Sequence, residues 1–397
     1  MAVGYNFPIL NSDGSVSTTI EDMENMFVRK DLFLTSGLWS WGDNTNGPLG
    51  LGDIVHRSSP TQLGSLTTWR YASRGLSHSL FCKTDGTLWG AGLNSSGQLG
   101  LGDITHRSSP VQVGALTNWK FVAAGTNFST AIKTDGTLWS WGLNTFGNLG
   151  LSDTASRSSP VQVGILNIWR SIAVGGTYQS YAITTNNTLW SWGHNAINGA
   201  LGLNDVLHRS SPVQVGSLTD WKLISAGAYF AAAIKVDGSL WTWGYGTLYG
   251  TLGQGTVVHK SSPAQVGSST DWKQVGAGTR HVGAIKNDGT LWTWGQNNLG
   301  AGELGLGDQA HRSSPVQVGA LTNWKQFVGI SGSSHTIKTD GTMWAWGYNS
   351  LFGQLGLGTY VLYSSPMQIG ALTSWKQISA VVGNASGISA IISPDLP

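Results

Sequence analysis

Short apolar segments alternate with polar, glycine-rich turns along most of the chain, and one such pattern is repeated many times. In residues 119–164 the segments read WKFVAAG, STAIKT, TLWSWG and SPVQVG. Each is short and rich in β-branched or aromatic residues, so each predicts a strand. The Asp-Gly pair at 135–136 predicts a hairpin turn, because glycine adopts a positive φ at little cost. The fourth strand is expected to start at Pro160, where a missing N–H is tolerated.

The tryptophans define the length of the repeat. One tryptophan recurs every 50 to 52 residues, as Trp39, Trp89, Trp139, Trp190, Trp241, Trp292 and Trp344. Two further repeat positions hold the rest of the 20 tryptophans, and Ala91 replaces the expected one in the second copy. Because no tryptophan stands outside the pattern, we interpret them all as packing residues.

Seven copies of a four-stranded unit predict an all-β fold, a seven-bladed β-propeller. A lone four-stranded sheet cannot bury both faces, whereas a closed ring packs every sheet between two others. Since the first copy lacks the strand that corresponds to WKFVAAG, one blade is expected to combine residues 37–63 with residues 375–393. Two segments, LFLTS at 32–36 and ISAIIS at 388–393, fit one strand of that blade. We favour ISAIIS, because it directly follows the WKQISAVVG segment as its counterparts do in the other blades.

Residues 1–36 do not follow the repeat and are predicted to be a leader to the propeller of residues 37–397. Thr18 and Glu21 have the spacing of a capping box. Ile20, Met23 and Phe27 then fall on one side of a helix. The sequence predicts a short amphipathic helix over residues 19–28, whose apolar side would cover either the propeller or a partner.

Charge and composition exclude several classes of protein. The chain has 22 Lys and Arg against 20 Asp and Glu, so a partner held by its polyanionic backbone, such as a nucleic acid, is not expected. Cys82 is the only cysteine and is expected in the core. The start of the chain does not resemble a secretory signal, and no apolar segment reaches the ~20 residues of a membrane helix. We expect a virion-associated or cytoplasmic protein without membrane insertion.

The segments GQLGLGD (97–103), RSSPVQVG (107–114) and AAGTNFSTAIKTDGTLWSWG (123–142) resemble repeats of the regulator of chromosome condensation family. The resemblance covers residues 37–393 and implies a seven-bladed propeller closed by strands from both ends. Members of that family include a nucleotide-exchange factor for a small GTPase and a plant UV-B photoreceptor. The leader also resembles the start of structural proteins of marine tailed phages, which implies attachment to a particle.

The known activities of the family fit this chain poorly. The exchange factor has a basic tail and an inserted β-wedge, whereas this leader is not basic and the repeats are nearly equal in length. The photoreceptor carries extra tryptophans after the glycine of its inner strand. Here those positions are Leu76, Thr126, Gly176, Ala228, Thr279, Ser333 and Asn384. Photoreception is therefore not expected.

Repeated polar residues suggest little catalytic chemistry. Equivalent histidines in neighbouring blades would lie too far apart to share a zinc ion, so no metal site is expected at His56, His106, His208, His259 and His311. A basic residue follows each histidine. An aspartate lies four residues before most of these basic residues, as Asp103 does before Arg107. We interpret these as ion pairs that fix a loop, the alternative being a cationic ring for an anionic ligand. The Asp-Gly carboxylates are interpreted as turn residues, and no catalytic or cofactor motif is present.

Two places where the repeats differ are candidate sites. The first is a mixed aromatic and histidine rim of the axial channel, or else channel packing, at His78, Phe128, Tyr178, Phe230, His281 and His335. The second, the loop crown, follows the WG of each repeat and is longer in the later repeats. It is predicted to bind a partner, or else to fold onto the blades, through Phe146, Ile197, Leu248, Tyr249, Leu299, Leu351 and Phe352.

The sequence thus predicts a non-enzymatic interaction propeller without cofactor or metal. It would be mounted through residues 1–31 on a larger assembly such as a phage virion, and would present its loop crown to a protein partner or a host surface. The alternative is a regulator that binds a small GTPase. An enzyme that uses the channel rim is the third hypothesis, and it lacks the cluster of perturbed acids that such a site needs.

Overall fold

The computed structural model describes residues 37–65, 68–176, 178–195, 198–246, 248–297, 301–349, 351–381 and 387–392. The predicted leader helix and the LFLTS segment lie outside the described residues. The rest of the chain forms seven four-stranded antiparallel sheets, as the repeat predicts. We number the blades from the one that contains Trp39, and within a blade we name the strands inner, second, third and outer.

Each inner strand begins at a repeated tryptophan, and the second strand follows it along the chain. The inner strands are Trp375–Ile378 in blade 1, then Trp69–Arg74, Trp119–Ala124, Trp169–Val174, Trp221–Ala226, Trp272–Ala277 and Trp324–Gly329. The second strands, in the same order, are Gly387–Ile392, His78–Lys83, Phe128–Lys133, Gln179–Thr184, Phe230–Lys235, His281–Lys286 and Ser333–Lys338.

The third and outer strands complete each blade. The third strands are Gly37–Gly42, Leu88–Gly92, Leu138–Gly142, Leu189–Gly193, Leu240–Gly244, Leu291–Gly295 and Met343–Gly347. The outer strands are Arg57–Gln62, Arg107–Gln112, Arg157–Gln162, Arg209–Gln214, Lys260–Gln265, Arg312–Gln317 and Tyr363–Gln368.

Blade 1 closes the ring with strands from both ends of the chain. Its third strand pairs with Gly387–Ile392, with Trp39 opposite Ala390, so the prediction that ISAIIS takes this place is confirmed. A short extra strand, Ala380–Val381, pairs in parallel with Ser73 and Arg74 of blade 2. The two blades are therefore joined by backbone hydrogen bonds as well as by packing.

The antiparallel order of the strands gives the propeller two faces. The loops between inner and second strands and those between third and outer strands emerge on one side, the loop face. The Asp-Gly hairpins and the connections between blades lie on the other, the turn face. Gly136, at φ 80°, donates to the Lys133 carbonyl at 3.0 Å, which confirms the predicted hairpin.

The hydrophobic core lies between the blades. In six of the seven blades the second tryptophan of the third strand is buried there, and its indole Nε1 donates to a carbonyl of the preceding blade at 2.8 to 3.1 Å. Gly100 lies so close to Trp141 that an added Cβ would stand 2.8 Å from the indole nitrogen. Cys82 is buried in the core between blades 2 and 3, as predicted, and burial raises the pKa of its thiol to about 12.

The outer strands differ from the prediction in where they begin. The third-blade outer strand starts at Arg157 rather than at Pro160, which is its fourth residue. Its pairing with the third strand shifts register between Arg157 and Val161, and the proline lies in that irregularity. An edge strand with a bulge tolerates proline, because the missing N–H has no ladder partner to lose.

Candidate interaction face and axial channel

The loop between third and outer strands is organised by one asparagine in each of several blades. In blade 2 the Asn94 side chain donates to the Asp103 carbonyl at 3.0 Å and accepts from the Leu99 N–H at 2.8 Å. The same residue type holds the loop in other blades, at Asn44, Asn144, Asn195, Asn297 and Asn349. These buried amides make the base of each loop rigid while its tip stays on the loop face.

The five repeated histidines support the same loops. In blade 2 the Asn94 N–H donates to Nδ1 of His106 at 2.9 Å, and equivalent bonds reach His56, His208, His259 and His311 at 2.9 to 3.1 Å. An Nδ1 that accepts a hydrogen bond belongs to a neutral ring with its proton on Nε2. Burial also lowers the pKa of His311. Among the described residues no three His, Cys, Asp or Glu side chains form a group that could hold a metal ion.

The predicted Asp–Arg ion pairs are confirmed in five blades. Arg57, Arg107, Arg157 and Arg312 approach their aspartates at 2.5 to 2.7 Å, and Arg209 pairs with Asp205. The pKa of Asp103 is lowered, first because the Thr105 N–H donates to its carboxylate and also because Arg107 lies beside it. Since a carboxylate offsets each of these guanidinium groups, the alternative of a cationic ring at this position loses its basis.

The aromatic residues of the loop crown fold onto the next blade. The ring centroids of Phe146 and His208 are 5.3 Å apart, those of Tyr249 and His311 4.8 Å, and those of Phe352 and His56 5.0 Å. Each of these aromatic side chains is half-buried. Their contacts link neighbouring blades.

The leucines of the loop crown are placed differently. Leu248 is 69% exposed and Leu351 is 72% exposed, and both have a positive φ, of 69° and 71°. Ile197 and Leu299, the other two predicted crown residues, lie outside the described residues. Partner binding by the crown stays a prediction.

Sequence reasoning missed a second set of apolar side chains on the loop face. They lie just before the outer strands and are 38% to 65% exposed: Ile54, Val55, Ile104, Val206, Leu207, Val257, Val258, Tyr360, Val361 and Leu362. The signal was the pair of residues between the aspartate and histidine positions, which contains at least one large apolar side chain in these blades, and in blade 7 the histidine position itself is Leu362. In blades 3 and 6 the pair reads Thr-Ala and Gln-Ala.

Four residues of the predicted axial rim occupy one structural position, and two do not. His78, Phe128, Phe230 and His281 begin their second strands. Tyr178 and His335 do not share this position, since Gln179 and Ser333 take the equivalent places in blades 4 and 7. Blade 4 has one extra residue in its loop, since the Gly175 N–H bonds to the carbonyl of residue 179. In blade 7, Ile330 rather than Gly332 is the equivalent inner residue.

The histidines of this position are buried between blades. Nε2 of His78 lies 2.9 Å from Ser129 Oγ, and Nε2 of His281 lies 3.0 Å from Ser334 Oγ, each serine belonging to the next blade. Burial, and then the charge of Arg74, lower the pKa of His78 to about 3, while burial lowers that of His281 to about 4. Both rings are therefore neutral at pH 7. A binding role for this rim stays a prediction.

Comparison with known proteins identifies the repeat. A model of the regulator of chromosome condensation (RCC1) repeat matches residues 36–82, 85–132, 135–180, 186–234, 237–285, 288–337 and 340–384. The chain belongs to the RCC1 repeat family. The seven matches correspond to the seven copies in the sequence, and the RCC1 repeat accounts for nearly the whole described propeller.

Curated RCC1-repeat relatives match parts of the chain. The ultraviolet-B receptor UVR8 of Arabidopsis thaliana is 35% identical over 202 residues, which are 49% of this chain and 44% of the relative. The mitochondrial RCC1 domain-containing protein RUG3 of the same plant is 32% identical over 210 residues, 50% of this chain and 46% of the relative. This chain thus spans less than half the length of either relative.

Two solved structures share the fold. Yeast RCC1 (Prp20), in its complex with Kap60, has a TM-score of 0.80 at 19% identity, covering 100% of this chain and 95% of that chain. Human WBSCR16 has a TM-score of 0.79 at 18% identity, covering 91% and 100%. In the described part of the chain, no helix has the length and apolar character that a membrane crossing requires.

Proposed function

We propose that this chain is a non-enzymatic RCC1-type propeller that binds a protein partner through its loop face. The observation that carries the proposal is the gathering of exposed apolar side chains there. Val361 and Leu362 of blade 7, Ile54 and Val55 of blade 1, and Ile104 of blade 2 belong to three successive blades. Single exposed apolar residues are ordinary, but a group of this kind on neighbouring loops is typical of interaction sites.

The backbone of the leucine tips supports the same proposal. Leu248 and Leu351 adopt a left-handed conformation that costs a residue with a Cβ about 1–2 kcal/mol. Elsewhere in these loops the chain has glycine at such positions, for example Gly250 and Gly353. An exposed leucine in a strained conformation stabilises nothing in the free protein, so its contribution is expected to come when a partner covers it.

The charge of the loop face favours a protein over a nucleic acid as the partner. The outer-strand arginines of the face are paired with aspartates at short range, and paired charges offer little to a phosphate backbone. Among structures of the same fold, Prp20p of Saccharomyces cerevisiae is described with binding properties to Gsp1p and histones, and also in complex with Kap60. Protein partners are therefore within the repertoire of this fold.

The test uses a photo-crosslinking residue in the full-length chain. Placed at position 361, it is expected to capture one protein from a lysate of the source cells. Placed at Ile165, which is 93% exposed on the turn face, it should not. Capture at 361 should be lost in the variant Ile54→Ser/Ile104→Ser and retained in Ile165→Ser, with melting temperatures unchanged. Capture that survives the loop-face variant, or that is equally strong at 165, would contradict the proposal.

A small GTPase is the second candidate partner, because the fold matches Prp20 over nearly its whole length. If this chain were an exchange factor, it would accelerate nucleotide release from a Gsp1p-type GTPase, measured with a fluorescent guanine nucleotide. Attachment to a particle through residues 1–31 is a further proposal. Deleting those residues should free the protein from the particle in a sedimentation experiment, and co-sedimentation of the truncated chain would refute it.

A further inference from the structure

The loop crown crosses from one blade to the next in the same way at two places. Phe146 of blade 3 lies against blade 4 and Phe352 of blade 7 lies against blade 1, and each directly precedes a glycine with a positive φ. Each phenylalanine ring contacts the repeated histidine of the next blade, with centroids 5.3 Å apart for His208 and 5.0 Å apart for His56. We name these the 3–4 crown contact and the 7–1 crown contact.

The two crown contacts differ in charge at one position. This position directly follows the third strand and holds His194 in blade 4 and Asp43 in blade 1. The ring centroid of His194 lies 4.8 Å from that of His208 and 4.5 Å from that of Phe146. In blade 1, Oδ1 of Asp43 lies 3.4 Å from Nδ1 of His56. The 3–4 contact therefore holds two imidazole rings, whereas the 7–1 contact holds one imidazole and a carboxylate.

The pair of histidines is confined to one of the seven copies. Where blade 4 has His194 and blade 1 has Asp43, the other copies have Leu93, Leu143, Tyr245, Gln296 and Tyr348. None of these five side chains can become positively charged. Blade 4 is thus the one copy in which this position and the repeated histidine can both carry a positive charge.

The hydrogen bonds of the loops determine where a further proton can bind. The Asn195 N–H donates to Nδ1 of His208 at 3.0 Å, and the Asn44 N–H donates to Nδ1 of His56 at 2.9 Å. Since Nε2 already carries a proton in these neutral rings, a second proton has to bind at Nδ1 and break that hydrogen bond. In blade 1 the new N–H would face the carboxylate of Asp43, which offsets the loss. In blade 4 a second imidazole stands in the place of that carboxylate.

The acid in the blade 4 loop already has partners. Asp205 pairs with Arg209, and its Oδ1 accepts from the Asn195 side chain at 3.1 Å. The outer-strand arginines of blades 1 and 3 are paired with aspartates in the same way. The charges of these ion pairs are therefore largely neutralised before a histidine takes up a proton.

The remaining titratable group of the 3–4 contact is a tyrosine. The rings of Tyr178 and Phe146 lie 5.5 Å apart, centroid to centroid. His194 is half-buried in this cluster, and burial, followed by the charge of His208, lowers its pKa. The closed 3–4 contact therefore disfavours the protonated form of His194.

The carboxylate of the 7–1 contact is fixed beside its histidine. Oδ1 of Asp43 accepts from the N–H of Thr45 at 3.0 Å and from its hydroxyl at 2.6 Å. Arg74 of blade 2 also reaches this residue, since its Nη2 donates to the Asp43 carbonyl at 2.7 Å. These bonds hold Asp43 where it can accept a hydrogen bond from a protonated His56.

We propose that acidification opens the 3–4 crown contact and leaves the 7–1 crown contact closed. The closed 3–4 contact holds its histidines in the neutral form, whereas a histidine released into water takes up a proton near about pH 6.5. The open form therefore binds more protons, and a falling pH favours it. Two positive rings 4.8 Å apart would also repel each other. Opening frees Phe146 on the loop face, and it concerns the protein alone, so it does not rest on the proposed partner.

The experiment follows one fluorine label at each crown contact. Trifluoromethyl-phenylalanine is placed at position 146 in one sample of the full-length protein and at position 352 in another, and 19F NMR spectra are recorded from pH 7.5 to 5.0. The signal at 146 should move most of the way to its position in the unfolded protein. The signal at 352 should move less than about a third as far. Circular dichroism should show that the propeller stays folded over this range.

Exchanging the two arrangements provides matched variants. His194→Asp gives blade 4 the pair of blade 1 and should hold the signal at 146 in place, whereas Asp43→His gives blade 1 the pair of blade 4 and should make the signal at 352 move. His194→Leu, which adopts the residue of blades 2 and 3, should reduce the movement at 146 by about half, because one of the two charges is removed.

Three results would overturn the proposal. The first is a signal at 146 that stays in place down to pH 5.0. The second is equal movement at 146 and 352, which would mean that the whole propeller unfolds. The third is a signal at 146 that moves as far in His194→Asp as in the unmodified protein, because the movement would then not come from the pair of histidines.

Discussion

The interface between blades 3 and 4 and the interface between blades 1 and 2 are built from one repeat pattern in two ways. In the first, Trp192 Nε1 donates to the Asn148 carbonyl at 3.0 Å, and Ser180 Oγ donates to the same carbonyl at 2.9 Å. In the second, Ala91 stands where the tryptophan is expected. Phe81 fills the space from the neighbouring strand, at a position that is alanine in blades 3 to 6.

The difference teaches that apolar volume and polar links are separate contributions. The ring centroids of Phe81 and Trp69 are 5.6 Å apart, and Phe81 fills the interface between blades 1 and 2 with apolar volume. Its side chain has no hydrogen-bond donor, however. Ser79, the counterpart of Ser180, has a buried hydroxyl that makes no hydrogen bond within the described part of the chain. A buried unpaired polar group costs about 1–3 kcal/mol. The interface between blades 1 and 2 therefore lacks this serine and tryptophan link and relies instead on packing, on the Arg74 Nη2 bond to the Asp43 carbonyl at 2.7 Å, and on the backbone pairing of Ala380–Val381.

The largest effect is expected from breaking the tryptophan-linked interface. Trp192→Ala should lower the free energy of unfolding by about 3–5 kcal/mol, because it leaves a cavity between two blades and removes a hydrogen bond. Trp192→Phe keeps most of the volume and should cost about 1–2 kcal/mol. Denaturant unfolding followed by tryptophan fluorescence measures both. Equal losses in the two variants would mean that the hydrogen bond, not the volume, dominates.

A swap should convert the second interface into the first. Ala91→Trp alone is expected to cost about 1–3 kcal/mol by overpacking against Phe81, and Phe81→Ala alone should cost more, because it leaves a cavity. The double variant should return to within about 1 kcal/mol of the unmodified protein, since the tryptophan fills the cavity. Unfolding of all four proteins gives the coupling energy, and strictly additive losses would show that the two residues do not compensate each other.

This compensation marks a limit of what the sequence could predict. The fold and its closure follow from periodicity, since every copy repeats the same four segments and the ends complement each other. The loss of tryptophan at Ala91 was visible as well. That Phe81 replaces its volume was not, because the two residues lie diagonally on neighbouring strands, with Phe81 opposite Trp89 and Ala91 opposite Ser79, and only the folded blade brings them into one cluster.

The candidate sites show the same limit. The axial rim was predicted by counting from the glycine after each inner strand. One extra residue in blade 4 moves Tyr178 out of the position, and in blade 7 the residue equivalent to that glycine is Ile330, which moves His335 out of it. Phe146, Tyr249 and Phe352 contact histidines of the following blade, which no spacing within one repeat indicates. Local pattern thus predicted the blades, while contacts between blades had to come from the structure.

Interfaces that contain a buried histidine should become less stable as the pH falls. The interface between blades 1 and 2 should not contribute to this pH dependence. Unfolded histidine titrates near pH 6.5 and His281 in the folded protein near 4, so between these values the unfolded state binds the extra proton. Stability should therefore fall as the pH falls, by about 1.4 kcal/mol per pH unit for this histidine. His281→Phe adopts the residue of blades 3 and 5 and should reduce that slope. Unfolding measured from pH 7 to 4.5 tests this, and an unchanged slope would contradict it.

The smallest effect on stability is expected at the loop tips, in contrast to the interfaces between blades. Leu351→Gly removes an exposed side chain and relieves a positive φ, so the free energy of unfolding should stay within about 1 kcal/mol of its original value and should not fall. Gly353→Ala, two residues further along the same loop, is the matched control. Its Cβ would lie 2.4 Å from the Ser58 Cα of blade 1, so it should destabilise the protein clearly. If Leu351→Gly were the more damaging change, the leucine would be a structural residue, and the argument that it is held for a partner would lose its support.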